Sequence, residues 1–233
     1  MSGAGASDGS AGRAPGAGRP TTLLFDWDNT LVDTWTIIHH ALAVTFEAMG
    51  ARPWTLEETR QNVRQSAREA FPALFGERSD EATGIFYATF ERDHLDQLKP
   101  LPGAAEMLAG LAAAGYDLAV VSNKQGPYLR REAAHLGWDG YFRALVGAND
   151  AARDKPAPEV VELALAGGPG AQAPREAIWF VGDTDIDLRC AVDSGCVPVL
   201  LRTTPPQPDE FADALPRLHI ERCSDLLRLL HPV

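Results

Sequence analysis

The sequence predicts an α/β protein: an open parallel sheet with helices on both faces, interrupted by an inserted all-helical domain. Three observations predict it. Five short apolar, β-rich runs recur along the chain. Ala- and Leu-rich stretches that stop at glycine separate most of them. One long interval after the first run carries helical spacing only. The first run, residues 21–26 (TTLLFD), is an apolar stretch ending in acid, suited to a buried strand. The others are residues 117–122 (DLAVVS), 143–147 (RALVG), 177–182 (AIWFVG) and 197–201 (VPVLL). Helices are expected over residues 102–114, 127–136, 158–166 and 185–194, each followed by glycine at Gly115, Gly137, Gly167 or Gly195. Glycine suits the left-handed residue that closes many helices. Residues 225–230 should add a last helix on the sheet.

The interval from Asp33 to Pro100 breaks the alternation. Trp35, Ile38, Leu42, Phe46 and Met49 recur at helical spacing. Leu56, Val63, Ala67 and Ala70 suggest a second helix, and Ile85, Phe86, Thr89, Leu95 and Leu98 a third. Residues 99–102 (KPLP) read as a stiff return linker. So long a loop without structure of its own is improbable, so the interval is expected to form a helical cap over the sheet. Residues 1–20 are mainly Gly, Ala, Ser and Pro, with no apolar stretch of the kind a signal peptide needs. They are expected to be a disordered tail.

Composition excludes several roles. The net charge is −11, from 21 basic and 32 acidic residues. Broad nucleic-acid binding needs a basic surface to displace counterions, and none is available. There is no basic cluster for anionic lipid and no apolar run long enough to cross a bilayer. The three cysteines, Cys190, Cys196 and Cys223, show no zinc-site spacing and read as reduced thiols of a cytoplasmic protein. Nothing in the residues fixes an oligomeric state. An acidic protein handling an anion needs a local positive centre, supplied by a bound cation or by a few placed Lys and Arg.

Open α/β sheets bind ligands beyond the carboxyl ends of their strands. Asp26-Trp27-Asp28-Asn29-Thr30 follows the first strand and Ser122-Asn123-Lys124 the second. Asp154-Lys155-Pro156 follows the third, after a longer connection, and Asp183-Thr184-Asp185-Ile186-Asp187 the fourth. Singly, each is ordinary turn or helix-start chemistry. Together they bring Asp26, Asp28, Asp183 and Asp187 to one crevice. So many carboxylates cannot share a site as anions without a compensating cation, and hard oxygen ligands select Mg²⁺.

From residue 21 onward the chain resembles the haloacid dehalogenase superfamily, specifically its phosphatases with a helical cap inserted after the first strand. Four ordered motifs carry the resemblance: DWDNT at Asp26, Ser122 in VVSNK, Lys155 in DKPAP, and GDTDID at Asp183. Asn29 departs from the glycine commonest there, but Asn tolerates left-handed backbone well. The resemblance implies a Rossmann-like catalytic core over residues 21–32 and 101–233, with the cap over residues 33–100. It implies that Asp26 attacks phosphorus to form an aspartyl-phosphate, and that Asp28 protonates the leaving alkoxide and later activates water. Mg²⁺ would be held by the Asp26 carboxylate, the Asp28 carbonyl and Asp183, with Asp187 acting directly or through water. Thr30, Ser122 and Asn123 would sit at the phosphoryl group, and Lys155 would neutralise Asp26 and the phosphate.

Asp28 argues against carbon–halogen chemistry, which needs no leaving-group acid. The absence of lysine from the cap helices argues against phosphonate cleavage through a Schiff base. Thr30 argues against a sugar-phosphate mutase, and the completeness of the motifs against a non-catalytic binding protein on this scaffold. The implied substrate is a small phosphorylated metabolite, with phosphoglycolate suggested by chain length and cap size. Arg60, Arg64 and Arg68 are four apart and would share one face of a cap helix. Arg68, nearest an expected turn at residues 71–76, is the candidate to grip a substrate carboxylate.

Overall fold

The computed structural model describes residues 18–207 and 209–231, so the tail expected over residues 1–20 lies outside the described residues except at its end. In chain order the elements are β1 (Thr22–Phe25), β2 (Val32–Asp33), α1 (Trp35–Ala48), α2 (Leu56–Asn62), α3 (Ala67–Phe75), α4 (Ser79–Gln97) and β3 (Lys99–Pro100). There follow α5 (Ala104–Ala113), β4 (Asp117–Gln125), α6 (Gly126–His135), β5 (Ala144–Ala148), α7 (Glu159–Leu165) and β6 (Ile178–Gly182). The chain closes with α8 (Asp185–Asp193), β7 (Val197–Leu201), β8 (Leu218–Ile220) and α9 (Cys223–Leu230). Six strands form one parallel sheet in the order β5-β4-β1-β6-β7-β8. This is the Rossmann-like arrangement expected, with β8 as an additional edge strand.

Side-chain alternation explains the two-sided burial. Leu23, Phe25, Leu118, Val120, Trp179 and Val181 point to one face, where they meet Met107 and Leu108 of α5, Leu129 of α6 and Leu226 of α9. Leu24, Ala119, Val121, Ile178 and Phe180 point to the other and meet Val161 and Leu165 of α7 and Ala191 of α8. Apolar residues on both faces leave no solvent side, which is why these strands read as continuous apolar runs. The register aligns Phe25 with Val120 and Val181, so β1, β4 and β6 end close together at one edge.

The helical insertion has its own apolar cluster, centred on Ile37, Leu42 and Phe46 of α1, Phe71 of α3, and Phe86 and Phe90 of α4. Residues 99–100 are not a free linker. Lys99 and Pro100 pair antiparallel with Asp33 and Val32, so the two chain crossings into and out of the insertion form one short ribbon. The second expected helix is two helices, α2 and α3, separated by extended backbone at Val63 and Ser66. Arg60, Arg64 and Arg68 therefore lie in α2, in the break, and in α3, and share no helix face. The expected turn at residues 71–76 is instead helix through Phe75, ended by Gly76.

Gly147 of β5 packs directly under the start of α6. A Cβ there would lie 2.5 Å from the Gly126 backbone and from the Lys124 carbonyl oxygen. Backbone cannot yield as a flexible side chain can, so Gly147→Ala should destabilise the protein by about 2 kcal/mol. Calorimetry should show the thermal midpoint falling by roughly 4–8 °C; an unchanged midpoint would mean that α6 lifts from β5 without cost.

Candidate active site

Asp26 leaves β1 at the sheet edge, where its N–H donates to the Val181 carbonyl at 2.9 Å. The carboxylate oxygens of Asp26, Asp183 and Asp187 lie within 4.8 Å of one another, and all three residues are buried. Lys155 Nζ sits 2.6 Å from both Asp26 Oδ1 and Asp187 Oδ1. Asp187 Oδ2 accepts from the Asp183 N–H at 3.1 Å, the Thr184 N–H at 2.9 Å and the Thr184 hydroxyl at 2.8 Å, closing the capping box of α8. Both oxygens of Asp187 are therefore occupied by protein donors. The approach needs Gly182, where a Cβ would come within 2.3 Å of Asp187 Cβ. Thr30 donates to Asp183 Oδ1 at 3.1 Å.

Lys155 is placed by Asn123. The Lys155 N–H donates to Asn123 Oδ1 at 2.9 Å, and Asn123 Nδ2 donates to the Lys155 carbonyl at 3.2 Å. The Asn123 side chain is thus a clamp on the lysine loop. Ser122 Oγ accepts from the Lys124 N–H at 3.2 Å, and Ser122, Asn123, Asp26 and Asp183 all line the same crevice. Asn29 takes the left-handed conformation anticipated for it, with φ of 63°.

Charge balance at the site is incomplete. Burial pushes the Asp26 carboxyl up to about 7 against the pull of Lys155, and Asp187 and Asp28 add to the rise. Asp183 is raised well above the usual carboxylate range by burial and by Asp187 and Asp26. One lysine cannot neutralise three buried carboxylates. Hydrogen bonds from the described residues reach Oδ1 of Asp26 and Oδ1 of Asp183, and none reaches Oδ2 of either. Two hard oxygens with surplus negative charge suit a divalent cation such as Mg²⁺.

A second buried network adjoins the first. Lys124 Nζ lies 2.7 Å from Asp28 Oδ1 and 2.7 Å from Glu132 Oε2. Glu132 also accepts from Trp27 Nε1 at 2.7 Å and pairs at 2.8 Å with Nδ1 of His94, which belongs to α4 of the insertion. Burial opposes charge on Lys124, yet Asp28 and Glu132 raise its pKa. Burial also opposes charge on Glu132, and Lys124 with its hydrogen-bond donors more than reverses this. Residue-by-residue reading gave Lys124, Glu132 and His94 no role. Glu132 had a signal: it falls between Leu129 and Ala133 on the buried face of α6, where an acid has no place without partners.

Arg68 is turned away from the crevice and does not line it. It donates to Asp154 Oδ1 at 2.6 Å, while Ser66 donates to Asp154 Oδ2 at 2.6 Å. Arg64 pairs with Asp185 at 3.2 Å. The α2–α3 break, rather than the residues after Phe71, is where this part of the insertion meets the sheet edge. Asp154 precedes Lys155, so the contact tethers α3 to the lysine loop.

The carboxyl edge of this parallel sheet gathers these carboxylates around one lysine, where Rossmann-like α/β enzymes bind their ligands. Residues 23–200 match the haloacid dehalogenase-like hydrolase family, and the chain belongs to that family of hydrolases. It is 28% identical over 214 residues to a protein of Listeria monocytogenes named pyrophosphatase PpaX, covering 91% of this chain and 97% of that one. It is 26% identical over 211 residues to a protein of Aquifex aeolicus named phosphoglycolate phosphatase, covering 89% and 95%. A haloacid dehalogenase-like family hydrolase from Streptococcus pneumoniae shares the fold at a TM-score of 0.78 and 20% identity, covering 91% of this chain and 99% of that one. No helix among the described residues is long and apolar enough to cross a membrane.

Removing Glu132 would strand Lys124 as a buried cation with one partner fewer and leave Trp27 and His94 unpaired. Glu132→Leu should therefore destabilise by about 3–5 kcal/mol, the cost of breaking a buried pair from one side. The double variant Lys124→Met, Glu132→Leu should recover part of that loss. Urea unfolding of both checks this, and a double variant less stable than the single one would contradict it.

Proposed function

We propose that the protein is a Mg²⁺-dependent phosphomonoester hydrolase acting through an aspartyl-phosphate on a small phosphorylated metabolite. The observation that carries the reading is the Lys155 ammonium bridging Asp26 and Asp187 beside Asp183, at the carboxyl edge of the sheet. The relatives' names, a pyrophosphatase and a phosphoglycolate phosphatase, support a phosphorylated substrate. In this reading residues 21–32 and 101–233 are the catalytic core and residues 33–100 its cap. The buried, unpaired Cys190, Cys196 and Cys223 fit a reducing, cytoplasmic setting.

Asp26 is the nucleophile. Its oxygen bonds to phosphorus as the bond from phosphorus to the leaving oxygen breaks. Lys155 holds Asp26 in position and offsets charge on the transferring group. Asp28, paired at Oδ1 with Lys124, protonates the leaving alkoxide. In the second step the Asp28 carboxylate takes a proton from the water that cleaves the acyl-phosphate, releasing phosphate and restoring Asp26. The Ser122 hydroxyl and the backbone at Asn123 bind phosphoryl oxygens. Asp26, Asp183 and the Asp28 carbonyl would hold Mg²⁺, which supplies charge stabilisation for the phosphoryl oxygens. Asp187 anchors Lys155 and the β6–α8 turn through both of its oxygens, beside the residues that would hold the ion. Thr30 orients Asp183.

Phosphate release from an aryl phosphate tests the reading. Activity should vanish in chelator, return with Mg²⁺ and not with Ca²⁺, which wants more and longer ligand contacts. Asp26→Asn should remain folded yet lose several orders of magnitude in kcat. Full activity in chelator, or near wild-type turnover by Asp26→Asn, would overturn the assignment.

A further inference from the structure

The crevice above Asp26 and the space between the sheet edge and the helical insertion form one cavity of about 150 Å³. Its two ends differ in chemistry. At the sheet edge lie Asp26, Asp28, Ser122, Lys155 and Asp183. Away from it the wall is formed largely by Trp35, Ile38, Val63, Ala67, Tyr87 and Tyr128. These six are only partly buried, so part of each surface is left facing open space. Tyr87 and Tyr128, both in the lining, are stacked with ring centroids 5.5 Å apart and planes 10° from parallel.

Positive charge in the same lining is fully committed. Among the described residues three cations line it, and each already faces a carboxylate: Lys155 faces Asp26 and Asp187, Lys124 faces Asp28 and Glu132, and Arg64 faces Asp185. Arg68, the remaining candidate for an anionic anchor, is held by Asp154 outside the lining. A second negative group on the substrate, whether a carboxylate or another phosphate, would enter an apolar wall where every cation among the described residues is already paired. Stripping a carboxylate of water without a partner is strongly unfavourable, whereas an apolar group gains from the same transfer. Away from the catalytic carboxylates, the aliphatic and aromatic side chains of this wall suit a small apolar group.

We propose that the substrate's leaving group is an uncharged, predominantly apolar alcohol, with a small aromatic ring the best fit, and that this wall selects against substrates such as phosphoglycolate and pyrophosphate that carry a second anionic group. The proposal rests on the hydrolase reading for its reaction and on the cavity for its selectivity. Benzyl phosphate, phosphoglycolate, glycerol phosphate and inorganic pyrophosphate should be compared at saturating Mg²⁺. The first three have leaving alcohols of broadly similar reactivity, so a difference in kcat/KM reports recognition. Benzyl phosphate should exceed each of the others by about tenfold or more, the scale that apolar complementarity provides. Phosphoglycolate or pyrophosphate matching or exceeding benzyl phosphate would overturn the proposal. Turnover of none of the four would count against the hydrolase reading instead, and calorimetry would then decide the cavity's preference separately. Benzylphosphonate binding at least tenfold tighter than phosphonoacetate would uphold it, and equal or reversed affinities would overturn it.

Discussion

Three carboxylates buried around a single ammonium group set the terms for this end of the molecule. Lys155 can lie 2.6 Å from Asp26 and Asp187 at once because three separate strand ends are held in register beneath it. Each strand contributes a fixed piece. β1 delivers Asp26, β4 delivers the Asn123 clamp that fixes the Lys155 backbone, and β6 delivers Asp183 and the glycine that lets Asp187 fold back. The remaining negative charge at Asp26 and Asp183 is what makes a divalent cation part of the proposed chemistry. A nucleophilic carboxylate must be ionised, and burial alone works against that.

The second network, through Asp28, Lys124, Glu132 and His94, binds the helical insertion to the sheet by a route that involves no exposed salt bridge. Lys124, Glu132 and His94 are almost wholly buried, so each depends on the others for compensation. Asp154 forms a second tether, joining Ser66 and Arg68 of the insertion to the residue before Lys155. On the proposed reading, the insertion shapes the substrate cavity and also holds two of the charged groups beneath it. A shift of α4 would be felt at Asp28, and a shift of α3 at Lys155.

Much of this was legible in the residues. The buried strands read as apolar runs because both faces are covered, and the glycines marked four helix ends. The order of DWDNT, SNK, DKP and GDTDID places Asp26, Ser122, Lys155 and Asp183 on one edge once the sheet is parallel. What was missed depends on tertiary partners. Apolar spacing ran through Val63 and Ala67 and suggested one helix where there are two. The break carried its own signals, in Thr55-x-x-Glu58 and Ser66-x-x-Glu69, each an expected helix start. Arg68 looked free because its partner, Asp154, is distant in sequence. Lys124 received no role because nothing in its local sequence reveals that Glu132 points inward to meet it. β8 escaped notice as a three-residue edge strand, too short to show alternation.

The claim on which the mechanism turns is that phosphorus becomes bonded to Asp26 during turnover. Mixing the Mg²⁺-loaded protein with an aryl phosphate, quenching in acid within the first turnovers and mapping the peptides by mass spectrometry tests it directly. The account predicts a phosphoryl group on the peptide containing Asp26, absent from Asp26→Asn. Phosphate release with no phosphorylated peptide at any time point, or phosphorylation at another residue, would contradict it.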